Sequence, residues 1–266
     1  MKLTYQLTAA LLALASTTNA AFIRRDGEGI ESPEDQNATL SKYPNITSIG
    51  DHNGTWFLTG MTSNIFDYYS SATTSMNATI NCVQFNFTSS SNTSFDIIGS
   101  GFLKKNGSEG GVNGTTAGAL FLQDPDDKVN TTDSELYWTA YFSQVFVNED
   151  AWENFTDPSA NNTINTTDGS RALPDSKPFQ ASLYSKYIDS SGKNGDADTL
   201  FLWATTYQML DSSPYQKRAD SVYGVILSKA THIDDDTFNK TQSMLPNTIA
   251  QNNITLVNLN DTCSSN

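Results

Sequence analysis

The sequence predicts an all-β fold, an eight-stranded antiparallel up-and-down β-barrel with one C-terminal α-helix and a short ninth strand. Three observations carry this expectation. Eight runs rich in β-branched and aromatic residues are each bounded by Gly, Asn, Asp or Ser. A single acid-started helical pattern follows the eighth run. Two cysteines form the whole inventory, Cys82 in the second run and Cys263 near the C-terminus, and an even pair in an oxidising compartment reads as one disulfide. Closing eight strands into a barrel removes the exposed sheet edges.

The chain divides in order. Residues 1–20 read as a secretory signal peptide. Lys2 supplies the positive start, residues 7–15 the apolar core and Thr18-Asn19-Ala20 the small-residue cleavage site. Residues 21–25 read as a propeptide ending in the dibasic pair Arg24-Arg25. Residues 26–42 are acidic and polar with few large apolar side chains, a disordered leader. Residues 43–266 are expected to form the barrel domain.

The first strand, 55–63, opens at Gly54-Thr55-Trp56, where a glycine allows a tight turn and the tryptophan plugs one end of a closed sheet. The next runs are 76–89, 94–104, 115–123, 135–147, 179–189, 199–210 and 221–229. Polar links join most of them. The exception, 148–178, is rich in Asn, Thr, Asp and Pro and reads as a long mobile insertion. Asp234, Asp235 and Asp236 then place an N-cap and negative charge at a helix start. Phe238, Gln242, Leu245 and Ile249 follow at helical spacing, with Pro246 as a break or kink. A ninth strand is expected over 254–259.

Composition narrows the partners. The formal charge is −14, and such a surface repels nucleic acid and anionic lipid, so neither nucleic-acid binding nor membrane insertion is expected. Two cysteines and two distant histidines make no metal cluster, and no cofactor motif stands out. Fifteen N-x-S/T acceptors occur. Asn53 stands beside the opening strand; the others are Asn37, Asn45, Asn77, Asn86, Asn92, Asn106, Asn113, Asn130, Asn154, Asn161, Asn165, Asn239, Asn253 and Asn260. A heavily glycosylated, secreted, extracellular protein is the expectation.

Parity assigns the interior. With Cys82 facing out towards the C-terminal tail, Val83, Phe85 and Phe87 face in. With Lys229 reaching Trp56, Leu227, Val225 and Tyr223 share its side. The fifth strand is undecided, since Tyr137 and Trp138 point to opposite faces. The seventh, Leu200-Phe201-Leu202-Trp203, is apolar on both, one side for the helix and one for the interior.

In order and spacing these pieces resemble the lipocalin family of the calycin superfamily, most similar to the apolipoprotein D and bacterial outer-membrane branch. The resemblance rests on Gly54-Thr55-Trp56, on Cys82-Val83-Gln84-Phe85-Asn86-Phe87, on Tyr223-Gly224-Val225-Ile226-Leu227-Ser228-Lys229, and on the acid-started helix before Cys263. It implies a Cys82–Cys263 disulfide, a structural plug of Gly54, Trp56 and Lys229, and a cavity for a small hydrophobic ligand such as a fatty acid or sterol. Val83, Phe85, Phe87, Trp138, Tyr223, Val225 and Leu227 are the expected lining. Lys229 stands where the family usually has Arg, and the family's Thr-Asp-Tyr motif is replaced by a Gly- and Asp-rich loop, so the chain reads as a divergent member.

Two other functions compete. The same aromatic residues would serve equally to fill a barrel core, leaving a glycoprotein that recognises a protein receptor through its surface. A secreted hydrolase would need His52 or His232 as a base, yet both read as solvated turn residues, and no G-x-S-x-G elbow is present. Glu135, Glu149 and Glu153 offer no pair singled out by spacing. No catalytic residue is therefore assigned.

Overall fold

The computed structural model describes residues 38, 52–107, 111–124, 135–148, 170–172, 178–188, 199–209, 223–243, 245, 254–259 and 263. The expected signal peptide and dibasic site lie outside the described residues, as do the leader apart from Ala38 and most of 148–178.

Eight strands close into a barrel: β1 (Gly54–Thr62), β2 (Ala78–Ser89), β3 (Ser94–Lys105), β4 (Gly111–Leu122), β5 (Leu136–Phe142), β8 (Phe179–Ile188), β9 (Thr199–Met209) and β10 (Tyr223–Ser228). All neighbours run antiparallel, β3 pairs β4, and β10 returns to β1 to complete the ring. The expected fifth strand is broken at residues 143–145. Its upper part, β6 (Phe146–Asn148), pairs with β4 and with β7 (Ser170–Ala172). Part of the stretch read as an insertion is therefore a short ribbon extending the wall.

The barrel has a lower end, marked by Asn53, the 89–94 hairpin and Lys229, and an upper end where β1 finishes. Near the middle of β1 the register shifts between Leu58 and Gly60, and β2 pairs with β1 only over Gly54–Phe57. A short strand, β11 (Leu256–Asn258), takes over the edge that β2 leaves, pairing with Gly60, Met61 and Thr62. The Cys82–Cys263 disulfide anchors this tail to β2. Cys82 sits at φ +48°, within the irregularity between Asn81 and Gln84. Such a bulge turns one strand away from its neighbour, and here it makes room for β11.

Two helices complete the described chain. The sequence reading had only the second. The first, α1 (Ser63–Ser75), leaves the upper end of β1 and returns to β2. Ile65 is buried against the barrel core, and Phe66 and Tyr69 pack beside it. The second, α2 (Asp235–Ser243), ends ahead of Pro246, as the proline requires, and Ile249 lies outside the described residues. With Leu245, its Phe238 packs against an outer apolar layer of Phe201, Trp203, Ile226 and Ile233.

The cap of α2 yields one expected result. Asp234 accepts a hydrogen bond from Thr237 N–H at 2.6 Å, and this bond, aided by the Thr237 hydroxyl, holds its carboxyl below the usual carboxylate range. A carboxyl so lowered contributes stability above its ordinary pKa that is lost as pH falls through the lowered value. The Thr237 amide resonance should therefore titrate below the usual carboxylate range, and Asp234→Ala should abolish that titration and fray the first turn.

A second expectation concerns Gly118, which shares the inward face of β4. A Cβ built there would lie 2.5 Å from the Phe142 ring and 2.8 Å from the Tyr141 carbonyl oxygen. Gly118→Val should force β4 and β5 apart and cost about 1–3 kcal/mol in urea unfolding. A neutral result would show that the Phe142 ring is free to swing away.

Candidate functional site

The lower end of the barrel is filled. Gly54 takes φ +103°, a left-handed conformation suited to glycine, and swings the chain so that Trp56 enters the interior with no exposed surface. Its indole N–H donates to the His52 carbonyl at 2.6 Å, Phe87 meets it edge-on at 6.5 Å, and the Lys229 ammonium lies 5.2 Å from the ring centroid. Lys229 itself is exposed. Gly54, Trp56 and Lys229 thus come together around one indole.

His52 corrects the reading of a solvated turn residue. It is 2 % exposed, bonded through Nδ1 to the Tyr187 hydroxyl and set among Phe95, Trp138 and Tyr187, with ring centroids 5.2, 5.7 and 4.6 Å away. The cause is the Trp56 N–H. A buried indole needs an acceptor, and taking the carbonyl four residues back draws the turn under the barrel. Trp138 completes this floor, fully buried, donating its N–H to Ser185 Oγ at 2.8 Å. That contact also settles the fifth strand: Trp138 faces in, while Tyr137 faces out against Tyr184 at 5.0 Å. Burial, with smaller contributions from Tyr137 and Glu135, pushes the Tyr184 phenol above its ordinary pKa.

Above the floor the wall changes character. Alternation along β3 and β4 puts Gly99, Gly101, Gly114, Thr116 and Gly118 on the same face as the buried Phe95, Ile97, Leu103, Leu120 and Leu122. Gly101 pairs with Gly114 and Gly99 with Thr116. The neighbouring inward positions of β5 and β8 are Ala140 and Ala181, which are also paired. The Thr116 hydroxyl meets Ser143 Oγ at 2.8 Å. On the adjacent β2, where Phe85 pairs with Gly99, Val83, Phe85 and Phe87 join the inner core, as does Leu227 of β10, while Tyr223 and Val225 pack against it half-buried. Five of the seven residues expected to line a cavity therefore belong to the inner core, and Tyr223 and Val225 pack against it. Phe87 and Trp138 sit at the floor.

At the top, α1 packs against β1, β2, β10 and β11 and sends Ile65 into the inner core. Its Tyr69 hydroxyl donates to the Ile80 carbonyl at 2.7 Å, and burial pushes that phenol above its ordinary pKa. Nothing in the local sequence announced this helix.

The remaining candidates lie apart from the interior. His232 is exposed before α2, and Glu135 stands at the lower end of β5. Glu149 and Glu153 lie outside the described residues. Among the described residues no group of His, Cys, Asp and Glu could hold a metal, and no helix is long and apolar enough to cross a membrane. The acceptor asparagines within the described residues are Asn53, Asn77, Asn86, Asn92, Asn106, Asn113 and Asn239, and every one is exposed. Asn37, Asn45, Asn130, Asn154, Asn161, Asn165, Asn253 and Asn260 lie outside them.

No family model matches the chain, and no curated protein matches it. Among solved structures it is similar to one described as a biogenic amine-binding protein, selenomethionine derivative, at 10 % identity and a TM-score of 0.36. The match covers 80 % of this chain and 83 % of that one.

Proposed function

We propose that this is a secreted, glycosylated, non-enzymatic lipocalin-like protein that holds a small hydrophobic molecule inside its barrel. The observation that carries the reading is the contrast in side-chain size along the interior. Aromatic rings fill the lower end, whereas the middle of the wall carries glycine, alanine and threonine on β3, β4, β5 and β8, below the paired Leu103 and Val112. A core meant only to be filled would place large side chains at those positions to reach native density. The Phe142 ring takes the space over Gly118, and the small side chains at Gly99, Gly101, Gly114, Ala140 and Ala181 support the reading of room for a guest beside Phe85. Burial of each methylene contributes about 0.8 kcal/mol, so a medium-length apolar molecule reaches micromolar affinity after entropic losses.

Exposure of all the described acceptor asparagines supports the glycosylated, extracellular reading, as does the disulfide. The test is native mass spectrometry of the enzymatically deglycosylated secreted protein, with organic extraction of whatever co-purifies. A stoichiometric apolar adduct is expected. A clean apo mass, with no change in tryptophan fluorescence on titrating fatty acids and sterols, would sink the cavity reading.

A second reading has one observation of its own. Ile98 and Phe121 lie on the outer face of β3 and β4, 43 % and 41 % exposed, with Tyr141 edge-on to Phe121 at 6.0 Å. This face, with Asp96 paired with Ala119 between the two apolar side chains, would suit a protein receptor if the clean apo result were obtained.

A further inference from the structure

We infer that Asn86 and Asn113 carry N-linked glycans whose first sugars lie on Ile98 and Phe102, so that carbohydrate covers the apolar part of the outer face of β3. This rests on the secreted, glycosylated reading and deepens it, because two of the exposed acceptors become structural sites with a bed for each sugar.

The placement comes from strand pairing. Among the described acceptors, Asn53, Asn77, Asn92 and Asn106 lie in turns and loops and Asn239 on α2. Asn86 and Asn113 stand within barrel strands, β2 and β4. Asn86 pairs with Ile98, and Asn113 pairs with Phe102. Each of these four is next in sequence to a residue of the inner core, Phe87, Ile97, Val112 or Leu103, so alternation turns all four outward. Both asparagines are exposed. Ile98 is 43 % exposed, with the small Ala117 paired on its other side. Phe102 is half-buried, and its ring leans over Gly111, the outward position next to Asn113, where a Cβ would collide with it.

Directly paired side chains have Cβ atoms about 4.5–5.5 Å apart, and a sugar on the asparagine starts just past its amide, within reach of the paired side chain. A pyranose ring presents C–H groups on one face. These gain dispersion contact with the isoleucine and, at Phe102, meet the negative face of the aromatic ring. Ile98 and Phe102 are roughly 13 Å apart along β3, and their glycans approach from opposite sides, so each has its own bed. The link forms when asparagine Nδ2 attacks the anomeric carbon of a lipid-linked oligosaccharyl pyrophosphate. The carbon–nitrogen bond forms, the bond from that carbon to the pyrophosphate oxygen breaks, the amide loses a proton, and the lipid pyrophosphate leaves with the electron pair. A glycan on Asn86 takes Ile98 away from a protein receptor. It leaves Phe121, whose partners are Ser94 and Thr139, uncovered.

The test is peptide mapping of the full secreted chain after enzymatic deglycosylation in heavy-oxygen water, then hydroxyl-radical footprinting of the glycosylated protein, Asn86→Gln and Asn113→Gln. Both asparagines should map as heavy-oxygen aspartate. Oxidation of Ile98 should rise at least about threefold in Asn86→Gln, and that of Phe102 in Asn113→Gln, each without the other, while Phe121 stays unchanged. Thr88→Ala, which removes the acceptor motif and keeps Asn86, should reproduce the Ile98 result. Enzymatic removal of the glycans from the folded protein repeats the readout without altering β3, and so decides the matter if a variant misfolds. Glycans at other acceptors but not at Asn86 or Asn113 overturn the inference and leave a glycosylated protein standing. Absence of sugar from all fifteen acceptors overturns the glycosylated reading with it. Occupied sites whose loss leaves Ile98 and Phe102 oxidation unchanged show sugars directed away from β3, and that too overturns the inference.

Discussion

Replacing Cys82 and Cys263 together by serine should destabilise the barrel by about 5 kcal/mol, the chain-entropy value for a cross-link spanning most of the domain. The two residues are 181 apart in sequence, so the bond restrains nearly the whole unfolded chain. Its loss also has a local signature. β11 fills the edge of β1 above Phe57, where β2 has turned away, and Leu259 N–H donates to the Thr59 carbonyl at 2.8 Å. The start of α1 depends on the same tail, since Ser63 N–H donates to the Thr255 carbonyl at 2.7 Å. Hydrogen exchange in the double variant should therefore quicken at Gly60 to Thr62 and at the first turn of α1, while β3 and β4 keep their protection relative to the new global stability. Guanidinium unfolding of wild type and variant measures the first effect. A loss below about 1 kcal/mol would mean that β11 holds its place without the bond.

The eight barrel strands were legible because a half-buried strand alternates, and alternation survives translation from chain to structure. Two anchors, Cys82 and Lys229, sufficed to orient β2 and β10. In β5 the two neighbouring aromatics Tyr137 and Trp138 suit either face, and only contacts with β8, Ser185 for one and Tyr184 for the other, distinguish them. The helix α1 was hidden for a different reason. Its sequence, rich in Ser and Thr with no acidic residue in the first turn, has little helix propensity. Its stability is tertiary, through buried Ile65, the Tyr69–Ile80 bond and the tail beside Ser63. His52 was misread because local polarity describes a residue's neighbours in sequence. Its burial follows from a bond made by Trp56. The small-residue wall was visible letter by letter as Gly99, Gly101, Gly114 and Ala140. It acquires meaning once pairing sets those residues side by side on one inner face.

Trp138→Ala should cost about 3–5 kcal/mol, the usual range for removing a buried tryptophan. The indole is fully enclosed, touches Phe95 at 5.8 Å between ring centroids and His52 at 5.7 Å, and leaves the Ser185 hydroxyl buried without its donor when removed. Trp138→Phe retains most of the packing, so its cost should be smaller, dominated by that lost bond at about 1–2 kcal/mol. How the larger void behaves separates a rigid floor from a soft one. If the surrounding rings hold their places, the cavity persists and free indole should enter it, raising the melting temperature of Trp138→Ala by more than that of wild type. If the floor collapses, the loss falls towards the lower figure and indole does no more than in wild type. The same variant locates the guest. A ligand seated only against the glycine and alanine wall would bind Trp138→Ala with unchanged Kd. One that rests on the indole would lose affinity with the alanine variant and recover most of it with phenylalanine.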